Sequence, residues 1–329
     1  MKLATLKNGT RDGRLVVVSR DLTRAIDAAP VAATLQQLIE HWDDLAPGVQ
    51  SIYELLNAGT ALNDFPFDPA QAMSPLPRTH QFVDASAFLN HGNIMEEAYQ
   101  LSVKKTPGIP VLVQRQSDDF WGPCDDYPLV EADHGDFEGE FAVIVDDTPM
   151  ASTPEVCASR IRLVMILNDV SMRAHLFREL QMGFGFINAK PATVFGPVAV
   201  TPDELGEGWG ADGRIHLDMN VSRNGQWFGE PNGREMDWSF GELLARLGLN
   251  RNLRAGTILG TGTVSNQAAR TVGSACLAEK RALEKISTGD SITPFLQLGD
   301  RLRFEVFGAD GQSIFGAVDH QFVPFKAEQ

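Results

Sequence analysis

Cysteine is scarce: Cys124, Cys157 and Cys276 are the only three in 329 residues, and no two form a CxxC pair. Their odd number and wide spacing exclude a disulfide framework and a cysteine-ligated zinc site, leaving buried or incidental thiols in a reducing compartment. Long apolar runs are missing as well. None approaches the roughly 20 residues that cross a bilayer, and Met1-Lys2-Leu3-Ala4-Thr5-Leu6-Lys7 lacks the apolar centre of a signal peptide. A cytoplasmic protein with no membrane partner is expected. Positive charge is the third shortage. Lys and Arg total 28 against 43 Asp and Glu, a net charge of −15, and no basic cluster offers a phosphate track. Nucleic acid is excluded as a partner. An anionic substrate would be repelled at long range unless a divalent cation and a few basic side chains supplied local positive charge. Internal repeats and low-complexity tracts are absent too.

What remains is ordinary globular composition, 43% hydrophobic and 22% charged. The length suffices for a small and a large domain. Residues 1–72 read as a small α+β unit: strands at 3–6 and 15–18 around a turn-rich 7–13, a helix over 34–42 with apolar residues at 35, 38, 39 and 42, and a second over 48–57. His41 is a structural residue of the first helix, and nothing in this unit carries chemistry. A proline-rich stretch, 65–77, marks the boundary, and 75–329 form the second domain. There a helix is expected over 94–103, a short strand at 111–113 within the loops of 104–134, and a helix at 153–159 with Thr153 as N-cap and Pro154 in its first turn. Strands follow at 194–200, 215–223, 257–260 and 302–307, interrupted by one helix over 239–247. A hairpin at Asp310-Gly311 joins 301–306 to 314–318. The fold class is α+β, mainly β.

The chemistry centres on Asp136-Phe137-Glu138-Gly139-Glu140-Phe141-Ala142-Val143-Ile144-Val145, which reads as a strand. Residues two apart share a face, so Glu138 and Glu140 point the same way with Cα atoms about 6 to 7 Å apart, and Asp136 joins them if the strand starts early. Phe137, Phe141, Val143 and Val145 face the other side. Such a pair lies on a solvated edge, or, because Ala142 and Ile144 make its own face apolar, is partly buried. In the second case one carboxylate takes a proton or both hold a cation. The run 161–170 is a buried strand by composition and ends in Asp169, which either caps the next turn or belongs to a site. Lys190 stands among small and apolar residues in the loop 183–191.

These segments resemble the fumarylacetoacetate hydrolase family. The resemblance rests on residues 136–145, on Leu-Asn-Asp-Val-Ser-Met-Arg at 167–173, Asn-Ala-Lys-Pro at 188–191, Gly-Thr-Gly-Thr-Val-Ser at 260–265 and Phe-Leu-Gln-Leu-Gly-Asp at 295–300, and covers roughly 75–325. It implies a mixed β-roll catalytic domain, a homodimer, and an oxygen-ligated Mg²⁺, Mn²⁺ or Ca²⁺ held by Asp84, Glu138, Glu140 and Asp169. Carboxylate ligation suits such a hard cation. The resemblance further implies His91, seven residues after Asp84, as general base with Glu279 as its partner; Glu96 or Glu97, on the helix just after His91, are the alternatives for orienting the imidazole. Lys190 is implied as the oxyanion-neutralising cation and Thr263 as the residue that binds the substrate's carboxylate. Arg173 serves packing or a salt bridge. The family's arginine and tyrosine between base and Glu-x-Glu strand have no match in a region that holds Gln100, Gln114, Arg115 and Gln116. The implied activity is hydrolysis of a C–C bond in a small anionic 1,3-diketo acid such as fumarylacetoacetate or an acylpyruvate. The alternative is a 2-oxo acid decarboxylase, or an isomerase or hydratase of aromatic catabolism, on the same fold.

Overall fold

A computed structural model describes residues 1–100 and 106–326. Two strands organise it. Gly139–Val145 and Ile161–Asn168 pair antiparallel in the middle of an 11-stranded sheet, and both are apolar along most of their length, as a strand buried on both faces requires. On the far side of Ile161–Asn168 the sheet continues through Ala199–Val200 into Lys2–Leu6, Arg14–Val18, Arg24–Asp27 and Phe65–Pro66. On the other side Gly139–Val145 pairs with Ile258–Gly260. That strand runs parallel to Phe82–Ala85, which is flanked by Leu112–Gln114. The N-terminal strands therefore extend the sheet that carries the candidate site.

Alternation along Gly139–Val145 is clean. Phe141, Val143 and Val145, with Phe137 just before them, enter one core shared with Phe304 and Phe322. Those two belong to a smaller five-stranded sheet, Gln226–Gly229, Asn220–Arg223, Arg301–Glu305, Val318–Pro324 and Tyr127–Leu129. Ala142 and Ile144 enter a second core with Leu35, Leu38, Ile39, Val49 and Tyr53 from the helices Leu35–Glu40 and Trp42–Asn57. One face is thus covered by N-terminal helices and the other by the second sheet, an α+β fold with mixed sheets.

Several boundaries move for physical reasons. The helix expected from 48 starts at Trp42 and runs through Pro47, because Ala46, Val49, Tyr53 and Leu56 bury one continuous stripe. The helix expected over 94–103 is Leu89–Tyr99 and ends at Gln100 with φ +51°; 101–103 lie outside the described residues. Only Asn220–Arg223 of 215–223 is strand, and 194–200 splits into two short strands around Gly196. The region after 194 holds a further 12-residue helix, Leu277–Thr288, besides Phe240–Leu247. The Asp310-Gly311 turn forms, but the strand expected at 314–318 begins only at Val318, because Gly316 adopts φ +69° and Ile314 and Phe315 turn into the core. No helix among the described residues is long and apolar enough to cross a membrane.

Candidate active site

The ladder brings distant acids together. Glu140 lies opposite Leu167, two residues before Asp169, while Asp84 lies opposite Gly260 on the other side. All three carboxylates are buried, and one oxygen from each lies within 4.8 Å of the others. Gly260 leaves room for this convergence: a Cβ there would lie 2.6 Å from Asp84 Oδ1 and 3.1 Å from Glu140 Oε2. The Gly262 N–H donates to the same two oxygens, at 2.9 and 3.1 Å. Its φ of +79° and a would-be Cβ only 2.2 Å from the Ala85 carbonyl oxygen admit no side chain. Glu140 Oε1 is buried with no hydrogen-bond partner among the described residues, the kind of orphaned acceptor that costs free energy unless something fills it. An acceptor-only cluster with one empty oxygen fits a hard divalent cation.

Glu138 stands one step outside this trio. Glu138 precedes the strand, which begins at Gly139, and forms an isolated bridge with Cys276; with Phe137 and Phe141 on the other face, it lies on the Glu140 side. Its carboxylate accepts from Lys190 Nζ at 2.6 Å and from Arg173 Nη2 at 2.5 Å. Lys190 also donates to Asp169 Oδ2 at 2.7 Å, tying Glu138 to the trio. A Cβ on Gly139 would lie 2.6 Å from Met219 Sδ, so glycine there lets the core approach.

Asp136 takes a different role. Arg173 Nε donates to it at 2.8 Å, and its two oxygens accept the N–H groups of Leu277 and Ala278 at 2.7 and 2.9 Å. It therefore caps the N-terminus of Leu277–Thr288. That helix presents Glu279, fully buried, whose Oε2 lies 2.9 Å from His91 Nδ1. His91 is on the adjacent helix Leu89–Tyr99, whose first N–H donates to Asp237 at 2.7 Å. Glu279, rather than Glu96 or Glu97, is the carboxylate on Nδ1. Thr263 is buried next to Gly262, and the following Val264 N–H donates to the Gly139 carbonyl at 3.1 Å.

Arg115 is the residue the sequence did not single out. It follows the strand Leu112–Gln114, and its Nε and Nη2 donate to Asp169 Oδ2 at 2.9 Å and Asp84 Oδ2 at 2.7 Å. A lone arginine between two glutamines carries no local signal of such a role. Arg115 and Lys190 also line a cavity of about 870 Å³ with Gln114, Glu179, Phe186 and Ile187.

The charges do not balance. Asp84, Asp136, Glu138, Glu140 and Asp169 face Arg115, Arg173 and Lys190, an excess of two carboxyl groups over cations. Burial, then Asp84 and Asp169, push the Glu140 carboxyl well above its ordinary value. Burial raises Asp84 as well, against the pull of Arg115. Glu138 goes the other way: burial would raise it, but Lys190 and Arg173 hold it well below the usual carboxylate range. Lys190 stays charged, because Asp169 and Glu138 outweigh the burial that would lower it. Behind the site, burial lowers His320 to about 4, and this neutral ring lies 3.1 Å from Asn168 Nδ2, whose Oδ1 accepts the Glu138 N–H.

With this geometry in view, comparison with known proteins is direct. Residues 81–323 match the family model described as Fumarylacetoacetate (FAA) hydrolase C-terminal, and residues 1–78 match Fumarylacetoacetase N-terminal domain 2. The chain belongs to the fumarylacetoacetate hydrolase family, a family of enzymes. Maleylpyruvate hydrolase from Sphingobium sp. SYK-6, solved with manganese(II) ion and pyruvate, shares the fold at TM-score 0.67 and 19% identity, over 99% of this chain and 100% of that one. Fumarylacetoacetate hydrolase from Exiguobacterium antarcticum does so with the same TM-score, identity and coverage. A curated relative, 2,4-didehydro-3-deoxy-L-rhamnonate hydrolase from Sphingomonas sp. (strain SKA58), is 28% identical over 161 residues. The aligned part is 48% of this chain and 53% of that protein, so the match spans about half of the curated relative.

Proposed function

We propose that the protein is a cytoplasmic, metal-dependent hydrolase that cleaves a C–C bond in a small anionic 1,3-diketo acid. The observation that carries this reading is the His91–Glu279 pair set beside buried acids, one of which, Glu140, has an empty oxygen. Asp84, Glu138, Glu140 and Asp169 are the residues to hold Mg²⁺, Mn²⁺ or Ca²⁺, which when bound polarises the substrate's carbonyl oxygens. His91 Nε2 takes a proton from water, and Glu279 steadies the resulting imidazolium through Nδ1–H. The water oxygen bonds to the carbonyl carbon, the adjacent C–C bond breaks, and the leaving fragment departs as an enolate that accepts the proton back from His91. Lys190 neutralises charge that develops on oxygen, and Thr263 binds the substrate's carboxylate. Decarboxylation or isomerisation needs no activated water, so a histidine anchored by a buried glutamate favours hydrolysis.

A panel of acylpyruvates and fumarylacetoacetate, followed by loss of the β-diketo ultraviolet band with Mg²⁺, Mn²⁺ or Ca²⁺, tests the reaction. Stoichiometric release of two acids is expected. Decarboxylation of oxaloacetate with no cleavage anywhere in the panel would overturn the reading.

A homodimer completes the proposal. Phe177, Met182, Phe184 and Ile187 are more than half exposed on the helix Arg173–Met182 and the loop after it, and large apolar side chains exposed close together in the chain are the kind a partner surface covers. Sedimentation equilibrium should give about twice the 35.9 kDa of one chain. A monomer at micromolar concentration would remove this part.

A further inference from the structure

Arg115 sits where a cation is wanted. It is buried, its guanidinium cannot lose its proton under ordinary conditions, and its two bonds go to Asp84 Oδ2 and Asp169 Oδ2, members of the trio of converging carboxylates. Lys190 differs, because it divides its bonds between Asp169 and Glu138. Arg115 also has somewhere to go. Its Nη1 is buried with no hydrogen-bond partner among the described residues, its guanidinium lies 5.7 Å from the Phe186 ring, and both residues line the 870 Å³ cavity.

We propose that Arg115 is a resident counter-cation of the acidic trio, which a divalent ion must displace, and that it thereby sets how tightly the site takes metal. The inference rests on the metal-site reading above. A guanidinium and a divalent ion drawn to the same carboxylates repel one another across a poorly screened interior. Metal entry therefore breaks both charge-assisted hydrogen bonds, and the side chain moves towards the cavity and the Phe186 ring. The arrangement keeps the metal-free cluster from carrying its full negative charge. The cost is weaker ion binding.

Mn²⁺ alone is the probe, titrated into the full chain at fixed pH and followed by the electron paramagnetic resonance signal of free Mn²⁺ and by calorimetry. Arg115→Met, which keeps the apolar stem but removes the competitor, should bind Mn²⁺ about 10²- to 10⁴-fold tighter, the equivalent of losing two charged hydrogen bonds that the ion must otherwise break. Arg115→Lys, which keeps the charge, should fall between that variant and the natural protein. The melting temperature in EDTA should drop for Arg115→Met and recover when Mn²⁺ saturates. Unchanged or weaker Mn²⁺ binding by Arg115→Met would overturn the proposal and make Arg115 a plain structural ion pair. Should Arg115→Met not fold without metal, tightened binding by Arg115→Lys supports the proposal and unchanged binding overturns it. Failure of the natural protein and both variants alike to bind Mn²⁺ would remove the metal-site reading itself, and this inference with it.

Discussion

Replacing His91 with alanine should lower kcat by about 10²- to 10⁴-fold on whichever diketo acid the protein cleaves, with bound Mn²⁺ unchanged. The size follows from the role: a positioned base removes a proton that water would otherwise have to lose unaided, a difference of about 3 to 5 kcal/mol in the barrier. The histidine touches none of the three converging acids, so metal content separates a lost base from a lost site. Glu279→Gln refines the test. The amide keeps a hydrogen-bonding group near His91 Nδ1 but removes the charge that would stabilise the imidazolium, so kcat should fall by a smaller factor while KM moves little. Glu279 Oε1 is buried without a partner among the described residues, so an amide there introduces a polar group with nothing to satisfy it, and a melting curve should accompany the kinetics. Full activity in His91→Ala with normal metal content would show that the base is elsewhere.

The sequence announced some of this site and concealed the rest, and the difference is one of range. Asp169 ends a run whose composition alone reads as a buried strand, and Glu140 lies on the neighbouring strand, so one antiparallel ladder brings the two close. Thr153 was legible as a cap because its partner lies three residues away. Asp136 caps a helix 141 residues further on, and Arg115 meets carboxylates 31 and 54 positions away. No periodicity encodes such pairs. The Leu277–Thr288 helix was hidden by Glu279-Lys280-Arg281, which resembles a solvated face. Its buried stripe uses small residues, Ala278 and Ala282, and its N-cap is Cys276, which is no usual capping signal.

Glu140→Gln should weaken Mn²⁺ binding by more than about 100-fold, beyond what loss of an outer-sphere contact costs. It should also abolish a proton release that the natural protein shows. With its carboxyl raised by burial and by Asp84 and Asp169, Glu140 carries a proton in the metal-free protein well above the ordinary carboxylate range. A bound cation requires the carboxylate, so binding expels that proton. Affinity in the natural protein should rise by about tenfold per pH unit while Glu140 is protonated, and calorimetry in buffers of different ionisation enthalpy should count about one proton released. The stability consequence has the opposite sign. The native state holds this proton to higher pH than the unfolded chain, whose glutamates titrate near 4.3. The metal-free protein therefore loses stability as pH rises from the unfolded value through the raised native one. Glutamine has no proton to lose, so in EDTA the melting temperature of Glu140→Gln should gain on that of the natural protein as pH rises above the unfolded value and through the raised native one. A variant that kept Mn²⁺ affinity, alongside a natural protein that released no proton on binding, would place the cation away from Asp84, Glu140 and Asp169. The empty oxygen on Glu140 would then be a polarity the fold tolerates rather than one that a metal ion fills.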